Sequence, residues 1–222
     1  MIRDGNLEWS SQWVTRIGPD IGGPNPFVAP TSYGFKHPAV GNDWMEVYIS
    51  GGAYTDMMVA LQRPILPVFN AAAIELAWEF DLYTDVNTPV QAQALETDIR
   101  LCDAAGYNYN ASLQLNYQSG GQIQISNAKG GWSNTGLIPG KYAPNVPYHV
   151  DINYLFDTVE HTVSVQSMEI NYKAYVIPLT MQKVPAQLLK WVPGVYLQVQ
   201  SDLASTGGAF SYWMKNISLD WL

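Results

Sequence analysis

The sequence predicts an all-β fold, a two-sheet antiparallel jelly-roll sandwich, on three observations. Apolar and polar residues alternate in short runs along most of the 222 residues. Gly and Pro, 18 and 14 in number, punctuate those runs, and no long stretch carries a helical period. Aromatic residues make up 13% of the chain against 14% charged, a balance that favours strands with broad aromatic surfaces over solvated helices.

In chain order the candidate strands are 7–14, 44–49, 54–61, 74–83, 92–101, 112–117, 122–126, 148–155, 162–170, 173–177, 194–200 and 210–221. In "IELAWEFDLY", Ile74, Leu76, Trp78, Phe80 and Leu82 share one face, which is core; Glu75, Ala77, Glu79, Asp81 and Tyr83 share the other. In "ALETDIRL", Leu95, Thr97, Ile99 and Leu101 oppose a face carrying Glu96, Asp98 and Arg100. "SGG" at 119–121 closes a hairpin between "SLQLNY" and "QIQIS", and Asn171 with Tyr172 turns "VSVQSMEI" back into "KAYVI". The one helical turn expected is "PAQLLK" at 185–190, which begins with a favourable proline and serves as a crossover. Trp221 should lock the last strand.

A chain of this length that is 47% hydrophobic can bury a full core, and no composition shift marks a linker, so residues 1–222 are expected to form a single jelly-roll domain. A net charge of −8 repels phosphate backbones and anionic lipid, which argues against nucleic-acid and membrane partners. The single cysteine, Cys102, allows no intrachain disulfide and no thiolate cluster. The start, "MIRDGNLEW", lacks a signal-peptide pattern; a secreted or extracellular protein whose leader is absent from the sequence as given is the expectation.

The polar faces carry the functional signal. Gln114, Asn116, Gln122 and Gln124 are uncharged donors and acceptors where a merely solvated strand would carry Lys and Glu, and such groups suit sugar hydroxyls. Trp9, Trp13, Tyr33, Trp44 and Trp132 lie near turns or strand edges and are candidate stacking platforms for a glycan. His37, His149 and His161 are too scattered for a local metal motif, so no transition-metal centre is expected; "DAAGYNYN" leaves room for a structural calcium but has no calcium-loop spacing.

The run "WEFDLYTDVNTPVQAQALETDIRLCDAAGYN", the glutamine-rich hairpin and the closing "YWMKNISLDWL" together resemble the concanavalin A-like lectin and glucanase superfamily. Within it the chain is similar to family 12 glycoside hydrolases. Their nucleophile strand, preceded by one of the type "AYDLF", corresponds to "LETDIRL", which implies Glu96 as nucleophile; "VYLQVQSDLASTGG" resembles a later segment in which Gln200 matches. The acid/base position of that segment falls at Ala204. Family 16 glucanases place Glu, Asp and Glu alternately on one strand, and here the third position is Arg100, whose guanidinium stays protonated. A weaker likeness links "ETDIR", "QIQ" and "YKAY" to alginate-type polysaccharide lyases, with Gln124 where their histidine stands.

The resemblance implies an endo-acting glycoside hydrolase on an extended neutral polysaccharide, a β-glucan or xyloglucan, lying in a concave cleft. Glu96 would be nucleophile, Asp98 its modulator and Asp202 the acid/base, with Arg100, Gln114, Asn116, Gln122, Gln124, Trp132 and Gln200 binding substrate. The alternative is a non-catalytic, lectin-like carbohydrate-binding protein that keeps the cleft and loses the chemistry. A polysaccharide lyase or an assembly domain is the third class.

Overall fold

A computed structural model describes residues 2–16, 29–64, 73–103, 107–127, 131–177, 182–183 and 194–221. Its elements in chain order are β1 (Ile2–Asp4), a 3-10 turn (Leu7–Trp9), β2 (Trp13–Arg16), β3 (Ser32–Lys36), β4 (Met45–Gly51), β5 (Asp56–Pro64) and β6 (Ala73–Thr84). The helical turn α1 (Thr88–Gln91) precedes β7 (Ala92–Cys102), β8 (Asn108–Asn116), β9 (Gln122–Ser126), β10 (Trp132–Asn134) and β11 (Tyr148–Asp157). There follow β12 (Thr162–Ile170), β13 (Lys173–Val176), β14 (Gln182–Lys183), β15 (Gly194–Leu203) and β16 (Gly208–Trp221).

Among the described residues these strands form two sheets. A nine-stranded sheet runs β13-β12-β11-β6-β16-β4-β3, with β1 on β16 and β14 on β12; a seven-stranded sheet runs β10-β9-β8-β7-β15-β5-β2. The long central ladders, β6 on β11 and β16, and β15 on β7 and β5, are antiparallel. The fold is therefore the all-β jelly-roll sandwich that the alternation implies.

The core lies between the sheets and follows the predicted faces. Ile74, Leu76, Trp78, Phe80 and Leu82 of β6 meet Leu95, Ile99 and Leu101 of β7, with Leu113, Leu115, Leu197 and Val199 beside them, all buried. Full burial of one such side chain contributes on the order of 1.5–3 kcal/mol, so register is strongly held: a one-residue slip would bring Glu96 and Asp98 into this layer.

Both predicted hairpins form. Gly120 (φ 73°) and Gly121 (φ 83°) turn β8 into β9, and a Cβ on Gly121 would sit 2.2 Å from the carbonyl carbon of Gly140. Asn171 (φ 50°) and Tyr172 (φ 64°) both adopt the left-handed region that a two-residue turn between β12 and β13 demands.

Three local expectations fail for physical reasons. The stretch 7–14 is no continuous strand, because the Trp13 indole turns inward, is buried, and donates from Nε1 to the Leu7 carbonyl at 2.8 Å. Trp13 is thus core and not a stacking platform. The short helix appears at Thr88–Gln91, where Asp85 Oδ1 accepts from the backbone of Asn87 and Thr88 at 3.0 and 2.8 Å; residues 185–190 lie outside the described residues. In β16 the register shifts between Lys215 and Ser218, with Asn216 at φ 51°. The displaced Ile217 N–H donates at 3.0 Å to the carboxylate of Glu8, which is itself buried. An extra residue in a ladder leaves an amide to satisfy, and Glu8 satisfies it.

Candidate functional site

Strand alternation in β7 sends Glu96, Asp98 and Arg100 away from the core, onto the outer face of the seven-stranded sheet, and ladder register then decides their neighbours. Glu96 is opposite Gln114 on β8 and Gln200 on β15. Gln114 is opposite Gln124 on β9, which is opposite Asn134 on β10. The next row toward Cys102 holds Ser112, Asp98 and Gln198; the row on the other side holds Gln122, Asn116, Ala94, Asp202 and Asp56. Trp132, opposite Ser126, joins the same face at the sheet's edge and is 37% exposed. The candidate residues named from the sequence thus share one face.

The centre of that face is closed from solvent. Glu96, Asp98, Gln114, Gln200 and Asp202 are 5%, 6%, 2%, 4% and 8% exposed, whereas Asn116, Gln122 and Gln124 toward the edge are half-buried. Buried polar groups need partners, and here the partners orient the amides of Gln114, Asn116, Gln124, Gln198 and Gln200. The backbone N–H of Ser119, in the turn after β8, donates to Asn116 Oδ1 at 2.9 Å and so fixes which end of Asn116 is the donor. Asn116 Nδ2 donates at 2.9 Å to Gln124 Oε1, which also accepts from Gln114 Nε2; Gln124 Nε2 passes the sense on to Asn134 Oδ1. On the other side the carboxylates take the donor ends: Gln198 Nε2 donates to Asp98 Oδ2 at 2.6 Å, and Gln200 Nε2 to Asp202 Oδ1 at 3.0 Å.

The amide nitrogens of Gln114 and Gln200 are thus taken by Gln124 and Asp202. The carbonyl oxygens Oε1 of Gln114 and Gln200, on either side of Glu96, are buried with no hydrogen-bond partner among the described residues, and so is Asn110 Oδ1. An unsatisfied buried acceptor costs about 1–3 kcal/mol, so a donor that reached any of these oxygens would be favoured.

Other candidates lie elsewhere or are committed. Cys102 is buried, its Sγ 3.7 Å from Asn108 Oδ1, and burial pushes its thiol up to about 11, so it is no thiolate near neutrality. His149 sits on the nine-stranded sheet with Nδ1 3.0 Å from Asp81. In the segment considered for calcium, Asp103 accepts from the Tyr107 backbone at 2.9 Å and from the Tyr109 hydroxyl at 3.3 Å. Among the described residues no group of three or more His, Cys, Asp or Glu side chains is placed to hold a metal ion. Trp9 and Tyr33 are exposed at 50% and 37%, but neither is on this face, and Trp44 packs against Tyr83 of the other sheet. A cavity of about 20 Å³ between the sheets, lined by Phe80, Leu95, Leu113 and Met214 among others, has room for at most one water.

The sequence exposed the polar face but not the direction of its amides. For Asn116, Gln124 and Gln114 that direction traces back to one turn amide, Ser119 N–H, whose target no spacing reveals.

Comparison with known proteins gives the fold a setting. No family model and no curated protein sequence matches the chain. Solved structures do: the seed lectin of Lotus tetragonolobus (8% identity, TM-score 0.55, covering 100% of this chain and 98% of that one) and basic winged bean lectin crystallised with Tn-antigen (10%, 0.51, 99% and 98%). A mutant of the Emp46p carbohydrate recognition domain is similar at 11% identity, TM-score 0.50, covering 94% and 88%. The chain has the concanavalin A-like sandwich of legume lectins.

These likenesses correct the hydrolase expectation. The similar structures named above are lectins, which overturns the family 12 likeness and the endo-acting glycoside hydrolase it implied. The register supplies a physical reason. Retention by a carboxylate pair needs a second carboxyl about 5–5.5 Å from the first. Both cross-strand neighbours of Glu96 are glutamines; Asp202 is displaced diagonally, opposite Ala94, with its Oδ1 held by Gln200.

Proposed function

We propose that the protein is a non-catalytic, lectin-like carbohydrate-binding protein and that the polar face of the seven-stranded sheet is its ligand face. The observation that carries this reading is the pair of buried, unpartnered carbonyls of Gln114 and Gln200 beside Glu96. Sugar hydroxyls are donors that such acceptors lack, and ordered amides lose little further entropy on meeting them. Glu96, Asp98 and Asp202 then act as acceptors and positioning groups, and Arg100 adds donors beside them. Gln122, Gln124 and Asn116 extend the face toward Trp132, whose exposed ring at the edge suits the C–H face of a pyranose. An extended oligosaccharide or polysaccharide, bound by one jelly-roll domain outside the cell, fits this layout.

A glycan array followed by titration calorimetry tests the reading. Binding of at least one glycan is expected, with affinity lowered about tenfold or more in Gln114→Leu and Gln200→Leu, since each deletes a polar contact worth about 1.5 kcal/mol. Affinity for neutral sugars should survive Glu96→Gln. A flat array, or binding indifferent to both leucine variants, would rule it out.

A further inference from the structure

The ordered amides give the ligand face two chemically different ends. At the centre Gln114 and Gln200, both more than nine-tenths buried, leave carbonyl oxygens that can only accept. At the edge the sense is reversed. Gln124 Oε1 already accepts from Asn116 and Gln114, so its Nε2 is the group that meets Asn134, and Asn134 offers Oδ1 to it. The Asn134 amide nitrogen is left over, exposed, with no acceptor among the described residues. Trp132 precedes it by two on the same strand and shares its face, so the two Cα atoms are about 6.7 Å apart. An amide donor and a 37% exposed indole thus stand side by side at the end of the row.

A ligand hydroxyl accepts from such a donor as water does, and gains little over it. A carboxylate or sulfate would meet no cation there, since β8, β9 and β10 carry no ionisable side chain on this face, and the net charge of −8 opposes it. An amide carbonyl accepts without bringing charge, and the methyl of an acetamido group gives the exposed indole an apolar neighbour. Resting on the carbohydrate-binding reading above, we propose that the glycan carries an N-acetylated sugar residue at this edge. Its acetamido carbonyl accepts from Asn134 Nδ2 and its methyl packs on Trp132, while hydroxyls farther along the same glycan donate to Gln114 Oε1 and Gln200 Oε1. From Asn134 on β10 to Gln200 on β15 the row crosses four strand spacings, about 19 Å, which an oligosaccharide spans and a single sugar does not.

The test is the glycan array followed by calorimetry with matched tetrasaccharides that differ only in carrying 2-hydroxyl or 2-acetamido groups, in the gluco, galacto and manno series. The wild type is expected to bind the acetamido form of its preferred series at least tenfold more tightly than the hydroxyl form. Asn134→Asp keeps an oxygen to accept from Gln124 and replaces the donor by an acceptor, so it should bring the two forms within about twofold of each other. Trp132→Leu leaves every amide in place and should cut the preference at least threefold, which keeps the assignment testable should Asn134→Asp not fold. Array hits without any acetamido sugar, equal affinities for the two forms, or a preference that survives both variants would overturn the acetamido assignment and leave the glycan reading standing. A flat array would overturn both.

Discussion

The outward faces of the two sheets come from the same alternation and end as opposites. On the nine-stranded sheet, charges pair in the presence of water: Arg3 with Glu79 at 2.7 Å and Asp220 at 3.5 Å, Lys36 with Glu46 at 2.8 Å, His149 with Asp81 at 3.0 Å. The Arg3 and Lys36 side chains are 54% and 65% exposed, so ions are exchanged between protein and solvent at little cost. On the seven-stranded sheet, amides replace the lysines, the middle of the face is buried, and carbonyl oxygens are left over. Among the described residues the nine-stranded face leaves one carboxylate oxygen each of Asp151 and Asp220 buried and unpartnered, but no amide carbonyl. The other is arranged around groups that a partner would satisfy.

The contrast can be broken most severely at the turn that orders the amides. Gly121→Ala places a Cβ 2.2 Å from the Gly140 carbonyl carbon at a φ of 83°, and should destabilise the protein by about 3 kcal/mol, read as a lowered midpoint in urea. Loss of the turn also releases Ser119, so ligand affinity should fall with it.

Next in size is Glu8→Ala on the other sheet. It strands the Ile217 N–H at the β16 bulge and should cost about 1–3 kcal/mol in chemical denaturation without altering ligand binding. A loss of binding equal to that of Gln200→Leu would erase the functional distinction between the two faces.

Asp151 sharpens the comparison through pH. Burial first, then the Glu169 and Glu79 carboxylates, raise it above its ordinary value, and register places it directly between those two residues. A carboxyl whose pKa is raised in the folded state destabilises it when ionised: the penalty is absent below the unfolded value and complete above the folded one. Asp151→Asn should therefore stabilise the protein at pH 7 by about 0.2–1 kcal/mol, with the gain vanishing as pH falls through the acidic range, as followed by thermal unfolding. The smallest effect belongs to Arg3→Ala, at most about 1 kcal/mol and shrinking with added salt, because its ion pairs are exposed.

Residues 74–82 and 92–101 were legible in the sequence because each has one apolar face, and period-two alternation assigns sides without knowledge of the partner. The hairpins at Gly120–Gly121 and Asn171–Tyr172 were legible for the same local reason, since few residues accept positive φ. Trp13 and Glu8 were not. Their places are set by contacts with Leu7 and with Ile217 across the molecule, which no local pattern encodes. At the candidate site, the membership of the face followed from alternation, whereas the enzyme expected from "LETDIRL" depended on which side chains stand across from Glu96. That question is one of register, and the answer is two glutamines.

The most direct measurement is a crystal structure of the complex with the tightest-binding oligosaccharide from the array. A ligand donor within about 2.7–3.2 Å of both Gln114 Oε1 and Gln200 Oε1, over Glu96, is the predicted result. A sugar seated on the nine-stranded sheet, or one that leaves both carbonyls without a donor, would contradict it.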